Sequence, residues 1–201
     1  ETGDVVEVDK AVQNELRDYE FSPDSRWIAY SKAGDNGNDA IWVFNIDDKK
    51  NYKLTGNTFS EGSPVFSKDG NYIFFLSNRD FNLEFSSFEF DYLYNEATRI
   101  YALHLKKDSP RLFEYKSDEV VPEGEKKKDE NSEDEEVKIE IDFDGISERV
   151  TAFPVSSGSY YNLTPVDGGI LYISDGKLHR YTIKEEKDEV IMENVRGVNL
   201  T

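Results

Sequence analysis

Two stretches of this chain are near copies of one another. Residues 21–31 read Phe-Ser-Pro-Asp-Ser-Arg-Trp-Ile-Ala-Tyr-Ser, and residues 66–77 read Phe-Ser-Lys-Asp-Gly-Asn-Tyr-Ile-Phe-Phe-Leu-Ser. Their leading phenylalanines lie 45 positions apart, and a third, degenerate copy runs Val166-Asp-Gly-Gly-Ile-Leu-Tyr-Ile-Ser174. A period of about 40–50 residues is that of four-stranded sheets repeated around an axis. In each copy a strand ends, an Asp-containing turn reverses the chain, and an almost continuously apolar strand follows. Asp bonds back to nearby backbone N–H groups while Gly or Ser relaxes the turn, so a hairpin results. Strands that are apolar throughout are those covered on both faces, here by neighbouring sheets.

A further strand follows in each copy, at 41–46, 100–105 and 177–183, rich in β-branched and aromatic residues. More polar outer strands are expected at about 51–55, at about 111–115 extended by material near 137–155, and at about 188–195. The fold class is therefore all-β, a β-propeller fragment of about three four-stranded antiparallel blades. The expected boundaries are a blade end at 1–15, blades at 16–56, 60–155 and 158–196, and the start of another at 197–201. Within the first of these, Thr2–Val8 reads as the last strand of a preceding blade. Rings of this kind need about four to eight blades, so the chain reads as part of a longer protein or as one that completes a ring with other copies.

Two insertions lengthen the second blade. The first, 79–98, carries Phe81, Phe85, Phe88, Phe90, Tyr92 and Tyr94. So many aromatic rings predict an excursion that packs back onto the propeller face. A peptide or partner contact is the alternative, and it makes Arg79, Phe81, Phe85 and Phe88 the candidate binding residues. The second insertion, 117–140, is almost free of apolar side chains and reads as a surface loop unable to offset its ordering entropy.

A formal net charge of −18 opposes a phosphate-tracking surface and removes nucleic acid as an expected partner. The chain has no cysteine, which excludes disulfides, thiolate metal sites and a Cys nucleophile. No apolar run approaches the roughly 18 residues that span a bilayer, and residues 1–20 are too charged for a secretory leader. The only histidines, His104 and His179, fall in the third strands of different blades and read as structural. Neither has an evident nucleophile and orienting carboxylate. Phosphate-binding, dinucleotide, zinc-protease and nucleophile-elbow motifs are all missing. Asp35-Asn-Gly-Asn-Asp39 reads as a hydrophilic hairpin tip rather than a calcium loop, because its Gly stands where a ligand oxygen belongs. No cofactor is expected.

The Phe21–Tyr30 motif resembles one shared by Tol-system propellers, prolyl-oligopeptidase-like propellers and tricorn proteases. More particular are Leu76-Ser-Asn-Arg-Asp-Phe-Asn82 followed by Ser87-Phe-Glu-Phe90, and Asp142-Phe-Asp-Gly-Ile-Ser-Glu-Arg-Val150 leading to Phe153-Pro-Val155. Their order and spacing are similar to bacterial tricorn homologues. That resemblance implies a cytoplasmic serine peptidase with two propellers, a PDZ domain and a separate catalytic domain. Its propellers guide or filter peptides, and its catalytic residues lie in a domain not represented here. The implied partners are peptides and the rest of the peptidase, with self-association left open. The alternatives are a stand-alone interaction propeller of the Tol type and the propeller of a prolyl-oligopeptidase-like enzyme.

Overall fold

In a computed structural model, which describes residues 3, 5–80, 83–86, 88, 90–94, 96–113 and 137–197, the repeats become three antiparallel sheets. The first contains β1 (Arg17–Phe21), β2 (Trp27–Ala33), β3 (Asp39–Asn45) and β4 (Lys50–Lys53), side by side in chain order. The second starts with β5 (Glu61–Phe66) and β6 (Tyr72–Ser77). A two-stranded hairpin, β7 (Leu83–Ser86) and β8 (Asp91–Tyr94), then leaves the sheet, which resumes with β9 (Arg99–His104) and β10 (Val150–Ala152). The third comprises β11 (Tyr160–Val166), β12 (Gly169–Ser174), β13 (Lys177–Thr182) and β14 (Lys187–Glu193).

The repeated motif works through a short polar circuit. Ser22 Oγ donates to Asp24 Oδ1 at 2.5 Å and accepts the Trp27 N–H at 2.9 Å. One blade on, Ser67 Oγ donates to Asp69 Oδ1 at 2.6 Å and accepts the Tyr72 N–H at 3.0 Å. Each circuit holds its turn closed with Ser25 or Gly70 left-handed, at φ 56° and 71°. The third copy lacks the serine and turns on Asp167-Gly168, with Gly168 at φ 67°.

Side-chain alternation along the strands divides the core into layers between sheets. Ile73, Phe75, Tyr101 and Leu103 face the first sheet and meet Trp27, Ala29, Ile41 and Val43. Their neighbours Tyr72, Phe74, Ile100 and Ala102 face the third and meet Tyr172, Tyr181 and Phe153. The middle blade is thus apolar on both sides, which accounts for its unbroken hydrophobic sequence.

Three expectations need correction. Residues 5–16 form no strand; Val5 is 95% exposed, and no strand among the described residues pairs with this segment to give it a ladder. This segment is anchored instead by Asp9, which accepts from Lys32 Nζ at 2.8 Å and from the Tyr30 hydroxyl at 2.7 Å. Burial pushes the Asp9 carboxyl up, but these bonds outweigh it and hold it below the usual range. The second correction concerns residues 111–113, which carry no strand. Leu112 and Phe113 plug the layer between the second and third sheets, and the rim position belongs to β10. The third is the hairpin, where Phe88 and Phe90 do not pack back onto the sheets, at 91% and 81% exposure, while Phe85 is half-exposed. Thr2, Phe81, the stretch 114–136 and residues 198–201 lie outside the described residues.

The return leg of the second insertion acts as a strap. The Ile139 N–H donates to Asp24 Oδ2 at 2.8 Å, Ile139 is buried in the layer between the first two sheets, and Phe143 stacks on Tyr52 at 4.1 Å. Arg149 ties its end to β9, donating to the carbonyls of Asp144 at 2.8 Å and His104 at 3.3 Å and to that of Asp142. The Asp142–Val150 motif is thus a structural knot that delivers β10 to its sheet.

Candidate functional site: the inner strand wall

The innermost strands β1, β5 and β11 each break their ladder once, at the same place. The register shifts between Arg17 and Glu20, between Gly62 and Val65, and between Tyr161 and Thr164. Inside each break one non-glycine residue is left-handed: Asp18 at φ 54°, Ser63 at 52° and Asn162 at 58°. Such residues are uncommon and cost about 1–2 kcal/mol each, so a conformation repeated in three blades is a built feature. A bulge turns its strand and frees backbone groups from the ladder.

The three bulges open onto one hollow of about 550 Å³ that includes Asp18, Glu20, Ser63, Asn162 and Thr164. No Lys, Arg or His is among the described residues lining it. Neighbouring strands are linked across it where Asp18 Oδ2 accepts the Ser63 N–H at 2.9 Å. A second hollow, of about 280 Å³, shares Asp18 and Ser63 and runs outward past Arg17 and Asp39 to Asn78 and Thr98. Those last two residues stand at the foot of the β7–β8 hairpin. The groove therefore joins the inner wall to the strand ends from which the hairpin departs.

Of the candidate residues Arg79, Phe81, Phe85 and Phe88, the structure describes three, in two different settings. Arg79 is a structural cation: its guanidinium lies 4.6 Å from the Tyr101 ring centre and 5.6 Å from that of Phe75. It also pairs with Glu61, which is 4% exposed. Burial raises the Glu61 carboxyl above its ordinary range, against the lowering by Thr55, Arg79 and Ser77. Phe85 and Phe88 belong to the hairpin, where Phe85 meets Phe90 edge-on at 6.5 Å. Phe81 lies outside the described residues.

Each histidine has a packing role. His104 Nε2 lies 2.9 Å from Thr151 Oγ1 and its ring meets Tyr72 edge-on at 5.1 Å. Burial, then the charge of Arg149, lowers its pKa. His179 stacks on Tyr172 at 4.9 Å and lies 3.0 Å from Asp188. Among the described residues no group of His, Asp and Glu is placed to hold a metal ion, and no helix is long and apolar enough to cross a membrane.

Sequence reasoning missed the three bulge residues. Each stands three places before the residue that opens its turn, at Phe21, Phe66 and Pro165, and two of the three are Asp or Asn, the types most tolerant of left-handed backbone. That recurrence was the available signal.

Radially repeated four-stranded sheets with bulged inner strands define the chain as part of a β-propeller. The family described as the tricorn protease second beta propeller domain matches it over residues 1–201, and the chain belongs to that family. It is 29% identical over 180 residues to tricorn protease homolog 1 of Streptomyces coelicolor, covering 86% of this chain and 16% of that protein. It is 28% identical over 178 residues to the tricorn protease of Thermoplasma volcanium, with the same coverage. The crystal structure of the tricorn protease superposes on 96% of this chain and 20% of that one, with a TM-score of 0.74 at 20% identity. The chain thus spans about a sixth of the length of the curated relatives it matches.

Proposed function

We propose that this chain is a non-catalytic wall of a larger cytoplasmic serine peptidase, where it guides or filters peptides on their way to or from a catalytic domain elsewhere in the protein. The observation that carries this reading is the threefold bulge. Three inner strands hold costly backbone in the same place and together line one polar hollow, in a chain whose relatives are named as proteases. The carboxylate and hydroxyl groups that line such a wall suit a passing peptide, because they can exchange hydrogen bonds with any main chain regardless of sequence. The blades in this reading run over 16–56, 60–155 and 158–196, and the partners are peptides together with PDZ and catalytic domains.

The test is kinetic and uses the full-length protein. Glu20→Trp and Thr164→Trp place indoles in the hollow. Hydrolysis of long peptides is expected to fall several-fold, while a single-residue chromogenic amide small enough to reach the catalytic domain by another route is cleaved as before. Equal rates on both substrates in wild type and variants would remove the reading. A full-length protein with no peptidase activity would favour a stand-alone interaction propeller.

A further inference from the structure

The repeat gives the strap's seat a counterpart one blade on. Between the first two blades, Ile139 donates its N–H to Asp24 Oδ2 at 2.8 Å, and a Cβ on Gly70 would meet Ile139 Cδ1 at 2.6 Å and Val137 Cγ1 at 2.7 Å. In the next pair of blades Asp69 holds the place of Asp24 in its turn, and Gly168 holds that of Gly70, left-handed at φ 67° against 71°. Asp69 and Gly168 both line a cleft of about 70 Å³, together with Tyr72, Phe74 and Ile183. Apart from its chain neighbours, no described residue comes within 4 Å of a Cβ on Gly168. Asp69 and Gly168 are exposed, whereas Asp24 is half-buried and Gly70 is buried beneath the strap. The two seats are therefore built alike, and among the described residues only the first is filled.

We propose that the cleft between the second and third blades is a docking slot for an extended segment of another polypeptide that carries alternate β-branched aliphatic residues, as the strap does in Val137-Lys-Ile139. The strap supplies the chemistry of the occupant. One aliphatic side chain enters between Tyr72, Phe74 and Ile183, in a space of the size such a group needs, and its main-chain N–H is donated to Asp69 Oδ2. That oxygen already accepts from Asn71 Nδ2 at 2.8 Å, and its second lone pair serves the incoming donor. A main-chain bond for hold and a pocket for every second side chain is a general way of reading extended peptides. The β5–β6 turn stands at the end of the sheet opposite the β6–β9 connection, so the slot lies away from the groove and does not depend on the guiding role.

The experiment follows fluorescence anisotropy of labelled peptides on the full-length protein. The probe copies residues 136–141, Glu-Val-Lys-Ile-Glu-Ile. Its companions carry Ser in place of the first Ile, or that Ile N-methylated so that it has no N–H to donate. The probe is expected to bind, and each companion to bind about tenfold more weakly. Gly168→Asn keeps a residue that tolerates left-handed backbone and places a side chain at the cleft, while Lys68→Trp covers its rim from an exposed position. Both variants are expected to weaken the probe about tenfold, with an unchanged thermal midpoint as the check on folding. No saturable binding to wild type below about 1 mM would overturn the inference, as would a serine companion that binds as well as its parent. Binding that neither variant alters would also overturn it and assign the probe to the seat the strap already fills. An oligomer that Lys68→Trp disperses, with no binding of the probe, would overturn it in favour of a second copy.

Discussion

Asp18 and Ser63 stand 45 residues apart in sequence and one blade apart in space, and the carboxylate of the first accepts the backbone N–H of the second at 2.9 Å. Both residues are left-handed, so one side chain caps a strained turn in the neighbouring sheet while its own backbone forms the matching one. Asp18→Ala leaves the Ser63 amide to water and is expected to cost about 1 kcal/mol. Urea unfolding would read this as a lowered midpoint at constant slope. A neutral result would mean that the blade-to-blade bond carries nothing.

Gly70 offers a sharper test of the strap. Its φ is 71°, and a Cβ there would lie 2.6 Å from Ile139 Cδ1 and 2.7 Å from Val137 Cγ1. Gly70→Ala combines left-handed strain with a clash against buried Ile139 and half-buried Val137, and about 2–4 kcal/mol of destabilisation follows. The equivalent Ser25 already accepts the same backbone, so Ser25→Gly should be close to neutral. Similar losses at both sites would show that the strap does not press on the turn.

The Arg79–Glu61 pair predicts strong coupling. Arg79→Ala strands a carboxylate that is almost wholly buried, at a cost of about 3–5 kcal/mol when a buried pair loses one partner. Glu61→Gln with Arg79→Leu removes both charges and should recover most of that loss. A double-mutant cycle by chemical denaturation measures the coupling, and simple additivity would refute it.

His104 makes stability depend on pH in a defined direction. Burial and the Arg149 charge depress its pKa below the ordinary 6.5, so the fold favours neutral imidazole. The associated stability is fully present above 6.5 and is lost as pH falls through the folded value. His104→Gln should flatten that slope without altering stability at higher pH. An NMR titration of wild type with a midpoint at or above 6.5 would contradict the packing account.

Much of the fold was legible because the Phe-Ser-x-Asp turn is a local device. Ser22 with Asp24, and Ser67 with Asp69, close their hairpins within a few residues, and the alternating strands that follow can be read without knowing what they pack against. The wall was not legible in this way. Asp18, Ser63 and Asn162 share a conformation but no side chain, and only the neighbouring ladder reveals the slipped register. The hairpin misled in the opposite sense. Six aromatics predict burial only if a surface is available, and Phe88 and Phe90 lie beyond the reach of any described one. Val5 and its neighbours failed similarly, since alternation makes a strand only beside a partner.

The strap carries a last consequence, for how the chain reaches this arrangement. In most radially repeated folds each sheet can form on its own and add to the one before. Here the fourth strand of the second blade arrives only after the polypeptide has run back over the first, and the Ile139 amide meets a carboxylate 115 positions earlier in the chain. Closing so long a loop is an entropic demand met late. The first two blades are therefore expected to gain and lose their structure together, as one cooperative block rather than as separable units.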